Sequence, residues 1–506
     1  MFVILSLILC LALILNQLSF ISNKTPIQIV DDMGQGLNLG NSFDCKNDFN
    51  PKDILSPDDQ LTLCGNPSPS KETITKIQQS GFKTIRLPVY WEHFINKLDE
   101  VNSLWMKRIK EVVDWITKSN MYCILTVTDD EDSWLSKGVQ VKQKYINLWK
   151  QIANEFIDYD QHLIFESMSK GNYNDYVTLL SLTQAFVDTI RDSGGNNYKR
   201  LLAINGLNSE LDATCNTKYK MPYDPANKLA ISIHYYFPDQ FTREPDDNKW
   251  SWIDDKGQIQ VIEPFTKWGE KSDYANMVSN FETLKTFYIN SEIPIIISQT
   301  AVLTEQKKEP ESIRRYLQFL FSMTMSYKGI MACLWDTSNK SSGDTNYFNR
   351  ETYQWYDEKI KSVFKNITKG RYVKPTDYFI YSNVEETSSA DSEGKLTINF
   401  GLKIPTKVTI KIIMSIRDPG GAGFGIISAD SQGQYNGIGV SCLEGKKQYD
   451  GSYLFNIDVK DKDFHDYVRV ERWWGNDIFS LNNLRLEFVE YSSFFNYEGY
   501  EEALLN

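Results

Sequence analysis

Histidine is nearly absent from this sequence, with four in 506 residues, and none of the seven cysteines stands at the spacing of a metal site. That gives no ground for a metal centre or a bound cofactor. An excess of basic residues is also lacking. Fifty-four Lys and Arg face 66 Asp and Glu, for a net charge of −12, and a chain of that sign repels a polyanion, which excludes nucleic acid as a partner. There is no coiled-coil or low-complexity tract. Beyond the first twenty or so residues no apolar run is long enough to cross a membrane.

What is present is a long, core-forming chain, 41% apolar and 13% aromatic, ample for one large core and a second domain. Its opening stretch, "MFVILSLILCLALILNQLSFISN", is apolar almost from the first Met. Residues 1–22 read as a secretory signal without the usual positive start, or else as an N-terminal membrane anchor. Either sends the remainder across a membrane, so the expected location is extracellular. Removing Cys10 with that segment leaves six cysteines, of which Cys45 and Cys64 flank a polar loop and make a plausible disulfide. Asn23, Asn339 and Asn366 open N-x-S/T sequons, candidate glycan sites in a eukaryotic secretory pathway.

From about 31 to 366 short apolar strands alternate with amphipathic helices. "KTIRLPV", "MYCILTV", "HLIFESM", "RLLAIN", "LAISIHYY", "PIIISQ" and "GIMACLW" read as strands, with "GLNLG" preceding them. Strands apolar at nearly every position are buried on both faces and belong to a parallel sheet. Eight such units predict a closed (β/α)8 TIM barrel, whose strand tips carry the chemistry. Residues 367–390 read as a linker with an extended middle. From 391 to 498 the period changes to short strands about every ten residues, with Gly, Asp and Asn between them, which predicts an all-β sandwich.

Several of these segments, "GLNLGNSFDC", "GFKTIRLPVYW", "LIFESMSKG", "ISIHYYFP", "IPIIISQTAV" and "CLWD", resemble in order and position the landmarks of family 5 glycoside hydrolases, cellulase-like barrels of clan A. The resemblance implies that Arg86 supports the nucleophile, that His234 and Tyr236 reach substrate and nucleophile, and that Trp335 is a platform for a pyranose ring. Without the family, Arg86 would read as a structural ion pair, and His234 and Trp335 as core. Trp91, Trp134 and Ser169 complete the implied substrate-binding set. The implied ligand is a polysaccharide or oligosaccharide.

The departures from the family pattern concern chemistry. Where the family has Asn-Glu-Pro, with that Glu as acid/base, "SMSKG" puts Ser169 and Lys170. Where it has a nucleophilic Glu after strand seven, "SQTA" puts Gln299. Paired histidines after strand three are replaced by Thr128 and Asp129. A retaining glycosidase needs two carboxyl groups about 5 Å apart. A glutamine amide hydrogen-bonds a hydroxyl but forms no glycosyl ester. A lysine near its ordinary pKa of about 10.4 is a poor acid. The expectation is therefore a secreted cellulase-like protein that binds β-glucan or a related wall polysaccharide without cleaving it, its catalytic pair removed.

Two alternatives stay open. One is an active β-glycosidase using displaced carboxylates, with Glu166, Asp129 and Asp336 as candidates. Regular alternation would set Glu166, Met168 and Lys170 on one side of the strand, where Glu166 could instead pair with Lys170 or Arg86. "TDDEDSW" at the third strand tip is either a solvated acidic loop or a relocated acid. The other alternative is a structural or partner-binding protein whose cleft is filled by its own insertion, 239–272. The C-terminal sandwich, 391–498, is similar to the carbohydrate-binding modules that often trail such barrels. Its "VERWWGND" holds Trp473 and Trp474 side by side; strand neighbours face opposite ways, so one at most is expected to be a sugar platform and the other core.

Overall fold

The structure is a computed structural model. It describes most of the chain between Lys24 and Tyr372, leaving out 46–55, 129–134, 171–174, 244–250, 254–258, 262–264, 270, 305–307 and 339–344. It also describes the strands that follow, but not residues 1–23, 373–379, 491–506 or the loops between most of those strands. Two compact units result, 1–374 and 375–506.

The first unit is built on eight strands. They are β1 (Gln35–Leu39), β2 (Thr84–Tyr90), β3 (Tyr122–Thr128), β4 (Leu163–Glu166), β5 (Leu202–Asn205), β6 (Leu229–His234), β7 (Ile295–Thr300) and β8 (Ile330–Asp336). All pair in parallel, and β8 returns to β1 to close a barrel. The expected TIM barrel is therefore present. Nearly every strand residue is buried, because the interior fills one face of each strand and helices cover the other.

The helices follow the apolar periodicity of the sequence. Ser103–Lys118 buries Trp105, Ile109, Val112, Val113 and Ile116 on one side, and Asn102 caps it by accepting from the amides of Leu104 and Trp105. Pro310–Ser326 begins with proline at its first position, where no amide partner is needed. A further helix, α1 (Pro26–Met33), precedes β1. It is held by a capping box between Thr25 and Gln28, and it packs Ile29, Val30 and Met33 against Ile124, Ile164, Ala203, Ala230, Ile296 and Met331. This closes the N-terminal end of the barrel with apolar side chains, each worth about 1.5–3 kcal/mol when fully buried. The interior at that end is apolar core, and the C-terminal strand ends form the opposite mouth.

Cys45 and Cys64 are disulfide-bonded. This ties the segment after β1 to the stretch before the helix Lys71–Gln79. Cys123, Cys215, Cys333 and Cys442 are free and buried. Asn366 lies in the helix Glu358–Thr368, half-buried; Asn23 and Asn339 lie outside the described residues.

The described residues of the second unit are strands apart from one short turn at Cys442–Glu444. One antiparallel sheet has five strands, β9 (Ile380–Glu386), β17 (Phe479–Glu490), β11 (Val408–Ile416), β15 (Ser452–Asp458) and β14 (Lys446–Lys447), in that order. The other has four, β10 (Lys395–Asn399), β16 (Tyr467–Trp474), β12 (Gly423–Ala429) and β13 (Tyr435–Ser441). Part of the stretch read as a linker, Ile380–Glu386, is a paired strand. This is β9, which pairs along β17 and is an edge strand of the sheet.

Candidate functional site

The site is best built from the bottom of the mouth upward. Register sets Asn38 of β1 beside Arg86 of β2 on one side and beside Trp335 of β8 on the other. Arg86 is fully buried and spends its guanidinium on β1, β4 and the turn after β4. Nε donates to Glu166 Oε2 at 2.6 Å, Nη1 to Asn38 Oδ1 at 3.0 Å and Nη2 to Ser169 Oγ at 3.0 Å. Glu166 Oε1 accepts from Ser232 Oγ at 2.5 Å, Ser232 Oγ lies 2.8 Å from Ser298 Oγ, and Asn38 Nδ2 donates to the Ser298 carbonyl at 3.0 Å. The result is a closed ring of hydrogen bonds through β1, β2, β4, β6 and β7. Such a network is rigid when every member is satisfied.

The tip of β4 departs from regular alternation. The strand ends at Glu166, and Ser167 Oγ and the Met168 amide both donate to Asn205 Oδ1, at 2.6 and 3.1 Å. The chain therefore turns, and Ser169, which alternation would have faced away from Glu166, also meets Arg86. Lys170 follows, half-buried, close enough that its charge helps to disfavour protonation of His234.

On the other side of the mouth His234 of β6 lies opposite Gln299 of β7 in register. Burial is the main reason the imidazole titrates well below its ordinary range. The charges of Arg86, Arg243 and Lys170 add to it, and a hydrogen bond to the Ser169 backbone opposes it. The ring is thus neutral, and its Nε2 is buried with no partner among the described residues. Gln299 is hydrogen-bonded to the Tyr236 phenol, which burial keeps protonated, and Arg243 lies over the Tyr236 ring at 4.3 Å. Trp335 is half-buried. Gly40 is what lets its indole lie against the β1 turn, since a Cβ there would come within 2.9 Å of Trp335 Cζ2 and of the Asp336 carbonyl.

The structure thus brings Arg86, Ser169, Lys170, His234, Tyr236, Gln299 and Trp335 to one end of one barrel. It does not do so for all of the expected residues. Trp91 is 1% exposed and packed in the core, so it offers no ring face to a sugar. Trp134 and Asp129 lie outside the described residues. Glu166 has both oxygens engaged at full burial and is not free to attack a substrate. Asp336 is equally committed. Oδ1 accepts the amides of Tyr347 and Phe348, Oδ2 meets Arg350 Nη2 at 3.1 Å, and burial raises its pKa. It anchors the chain after β8.

One carboxyl was missed from the sequence. Asp44, in the turn after β1, is half-buried, and burial pushes its pKa up to about 6 against the pull of nearby backbone donors and of Arg350. Arg350 fixes this turn by donating to the Gly40 carbonyl and to Ser42 Oγ, each at 2.8 Å. The signal was an acidic residue just beyond a barrel strand, in "GNSFDC", which is where such folds place reactive groups. Among the described residues no group of three or more His, Cys, Asp or Glu could hold a metal ion.

Residues 47–341 match the Cellulase family, glycosyl hydrolase family 5. A GH5-4 broad specificity endoglucanase from an uncultured bovine rumen ciliate is 51% identical; the match covers 69% of this chain and 99% of that one, with a TM-score of 0.66. A GH5-4 broad specificity endoglucanase from Ruminococcus champanellensis, solved with bound cellotriose, is 26% identical over 68% of this chain and 99% of its own, with a TM-score of 0.59. Endoglucanase A of Paenibacillus barcinonensis is 29% identical over 360 residues, 64% of this chain and 86% of that protein. These matches overturn the expectation of a barrel that holds glucan without cleaving it. The two broad specificity endoglucanases align along nearly their whole length, which favours hydrolysis, and neither an inactive protein nor a pseudoenzyme is the better reading. On its strands, its mouth and its matched span, this chain belongs to glycoside hydrolase family 5.

Proposed function

We propose that the protein is an exported, endo-acting β-glucanase that hydrolyses O-glycosyl bonds in the mouth of its barrel. The observation that carries this reading is the 51% identity along 99% of a broad specificity endoglucanase. The mouth supports it with a half-buried indole at Trp335 for a sugar face, and with neutral hydrogen-bonding groups at Gln299, Tyr236 and His234 for hydroxyls. The apolar N-terminal segment is the support for export.

Hydrolysis needs a proton donor for the leaving oxygen and a carboxylate to act as nucleophile or to activate water. The two positions matched to the family's glutamates hold Lys170 and Gln299, so this work falls to displaced groups. Asp44 is the reading for the acid. A carboxyl with a pKa near 6 holds its proton where an acid catalyst must. Asp129, the residue that follows β3 in the sequence, is the reading for the second carboxylate. In the second unit, Phe424 of β12 meets Phe455 of β15 edge-to-face at 4.9 Å, which supports reading the two sheets as a sandwich.

The test is release of new reducing ends from soluble barley β-glucan by the purified protein, with Asp44→Asn and Asp129→Asn beside it. A rapid fall in viscosity that outpaces sugar release, lost in both variants, is the expected result. No new reducing ends from β-glucan, xyloglucan or cello-oligosaccharides would refute it.

A further inference from the structure

The paired tryptophans near the end of the chain do not face opposite ways. Between β12 and β16 the register is Phe424 to Arg472 and then Gly423 to Trp474, so one extra residue, Trp473, stands in β16 at that point. A bulge of this kind cancels one step of alternation. Both indoles consequently lie over glycines of a single sheet face. A Cβ on Gly425 would fall 1.9 Å from Trp473 Cε2, and one on Gly423 would fall 2.0 Å from Trp474 Cζ2. On the neighbouring strand Gly437 and Gly439 would each bring a Cβ to 3.0 Å from the Trp473 ring. Gly425 pairs directly with Gly439, so these glycines share one side of the sheet, whereas Phe424, Ile426 and Val440 point to the other and are buried.

Glycine weakens a strand interior, and this sheet places four of them in two adjacent strands where the indoles rest. Trp473 and Trp474 are nevertheless 43% and 42% exposed. A core would bury such rings, and an indifferent surface would not present two together. We propose that this glycine-paved face is a second carbohydrate-binding site, separate from the barrel mouth, which takes the flat C–H faces of pyranose rings in a β-glucan chain on the two indoles. The choice of β-glucan rests on the function proposed above. The choice of a sugar rests on the rings themselves, which are flat, half-exposed and supported from beneath by backbone.

The experiment uses the full-length protein and two readouts: retardation in native gels containing barley β-glucan, and cleavage of cellohexaose. Trp473→Ala with Trp474→Ala is expected to weaken retardation by about tenfold or more and to leave cellohexaose cleavage unchanged. Gly425→Ala, which keeps both rings but tilts Trp473 off the sheet, is expected to weaken it as well. Phenylalanine at 473 and 474 should restore part of the retention. Retardation undiminished in the double alanine variant would overturn the proposal, as would loss of retention matched by loss of cellohexaose cleavage. A chain that cleaves nothing yet is retarded through these two rings would uphold this site and refute the glucanase reading instead.

Discussion

Arg86 and Glu166 meet inside the barrel, Nε to Oε2 at 2.6 Å, and neither side chain reaches solvent. An intact pair of this kind adds little net stability, but breaking it strands a dry charge. Glu166→Ala is expected to cost about 3–5 kcal/mol, seen as a lower urea midpoint at unchanged slope. Arg86→Met combined with Glu166→Leu is expected to cost less than the single change, because no charge is left behind. A single variant as stable as the natural chain would contradict the ring of hydrogen bonds as described.

The contact of Gly40 with Trp335 predicts a binding effect. Gly40→Ala sets a Cβ 2.9 Å from the indole and from the Asp336 carbonyl. An overpacked contact of this kind costs about 1–3 kcal/mol. Part of that should appear as a displaced ring, so KM for cello-oligosaccharides is expected to rise several-fold with kcat changed less. An unchanged KM would remove Trp335 from the substrate path.

Asp44 predicts a pH dependence of known sign. Its folded pKa, about 6, lies above the ordinary 3.8. The folded chain therefore holds this proton more tightly than the unfolded chain. Its contribution to stability declines as pH rises from about 4 to about 6, and stays unfavourable above that. Asp44→Asn is expected to raise Tm near neutrality and leave it little changed at about pH 4. As the acid, Asp44 should also give the natural chain's kcat/KM a basic limb that begins near 6.

His234 predicts the opposite slope. Its folded pKa is depressed, chiefly by burial, whereas the unfolded chain takes up the proton near pH 6.5. Stability attributable to this residue is thus present above about pH 6.5 and is lost as pH falls below it. His234→Gln should flatten the Tm profile between about pH 6.5 and 5. A profile as steep as that of the natural chain would mean that the imidazole is solvated.

Much of the barrel was legible in the sequence, because apolar strands and amphipathic helices declare themselves by period. The segments read as strands, such as "MYCILTV" and "GIMACLW", are β3 and β8 to within a residue or two at each end. What escaped were the places where the chain leaves its period. The β4 tip turns after Glu166 under the pull of Asn205, a residue 38 positions from Ser167, and no local pattern foretells that. The bulge at Trp473 inverts a facing rule in the same way. Trp91 illustrates a different limit, since an aromatic beside a strand tip reads alike whether it is core or platform until its neighbours are known. Glu166 and Asp336 were legible as carboxyls near the site, but not as carboxyls already engaged by Arg86, Ser232 and Arg350. Asp44 carries no local pattern either, since its burial comes from the folded turn near Arg350, 306 positions away.

The most direct test of the central claim is mass spectrometry of cellohexaose incubated with the purified natural chain in heavy-oxygen water. Hydrolysis in the barrel mouth predicts shortened oligosaccharides with the heavy label at their new reducing ends, absent from the Asp44→Asn variant. Cellohexaose left intact by the natural chain, but cleaved once Lys170→Glu and Gln299→Glu are introduced together, would contradict the account.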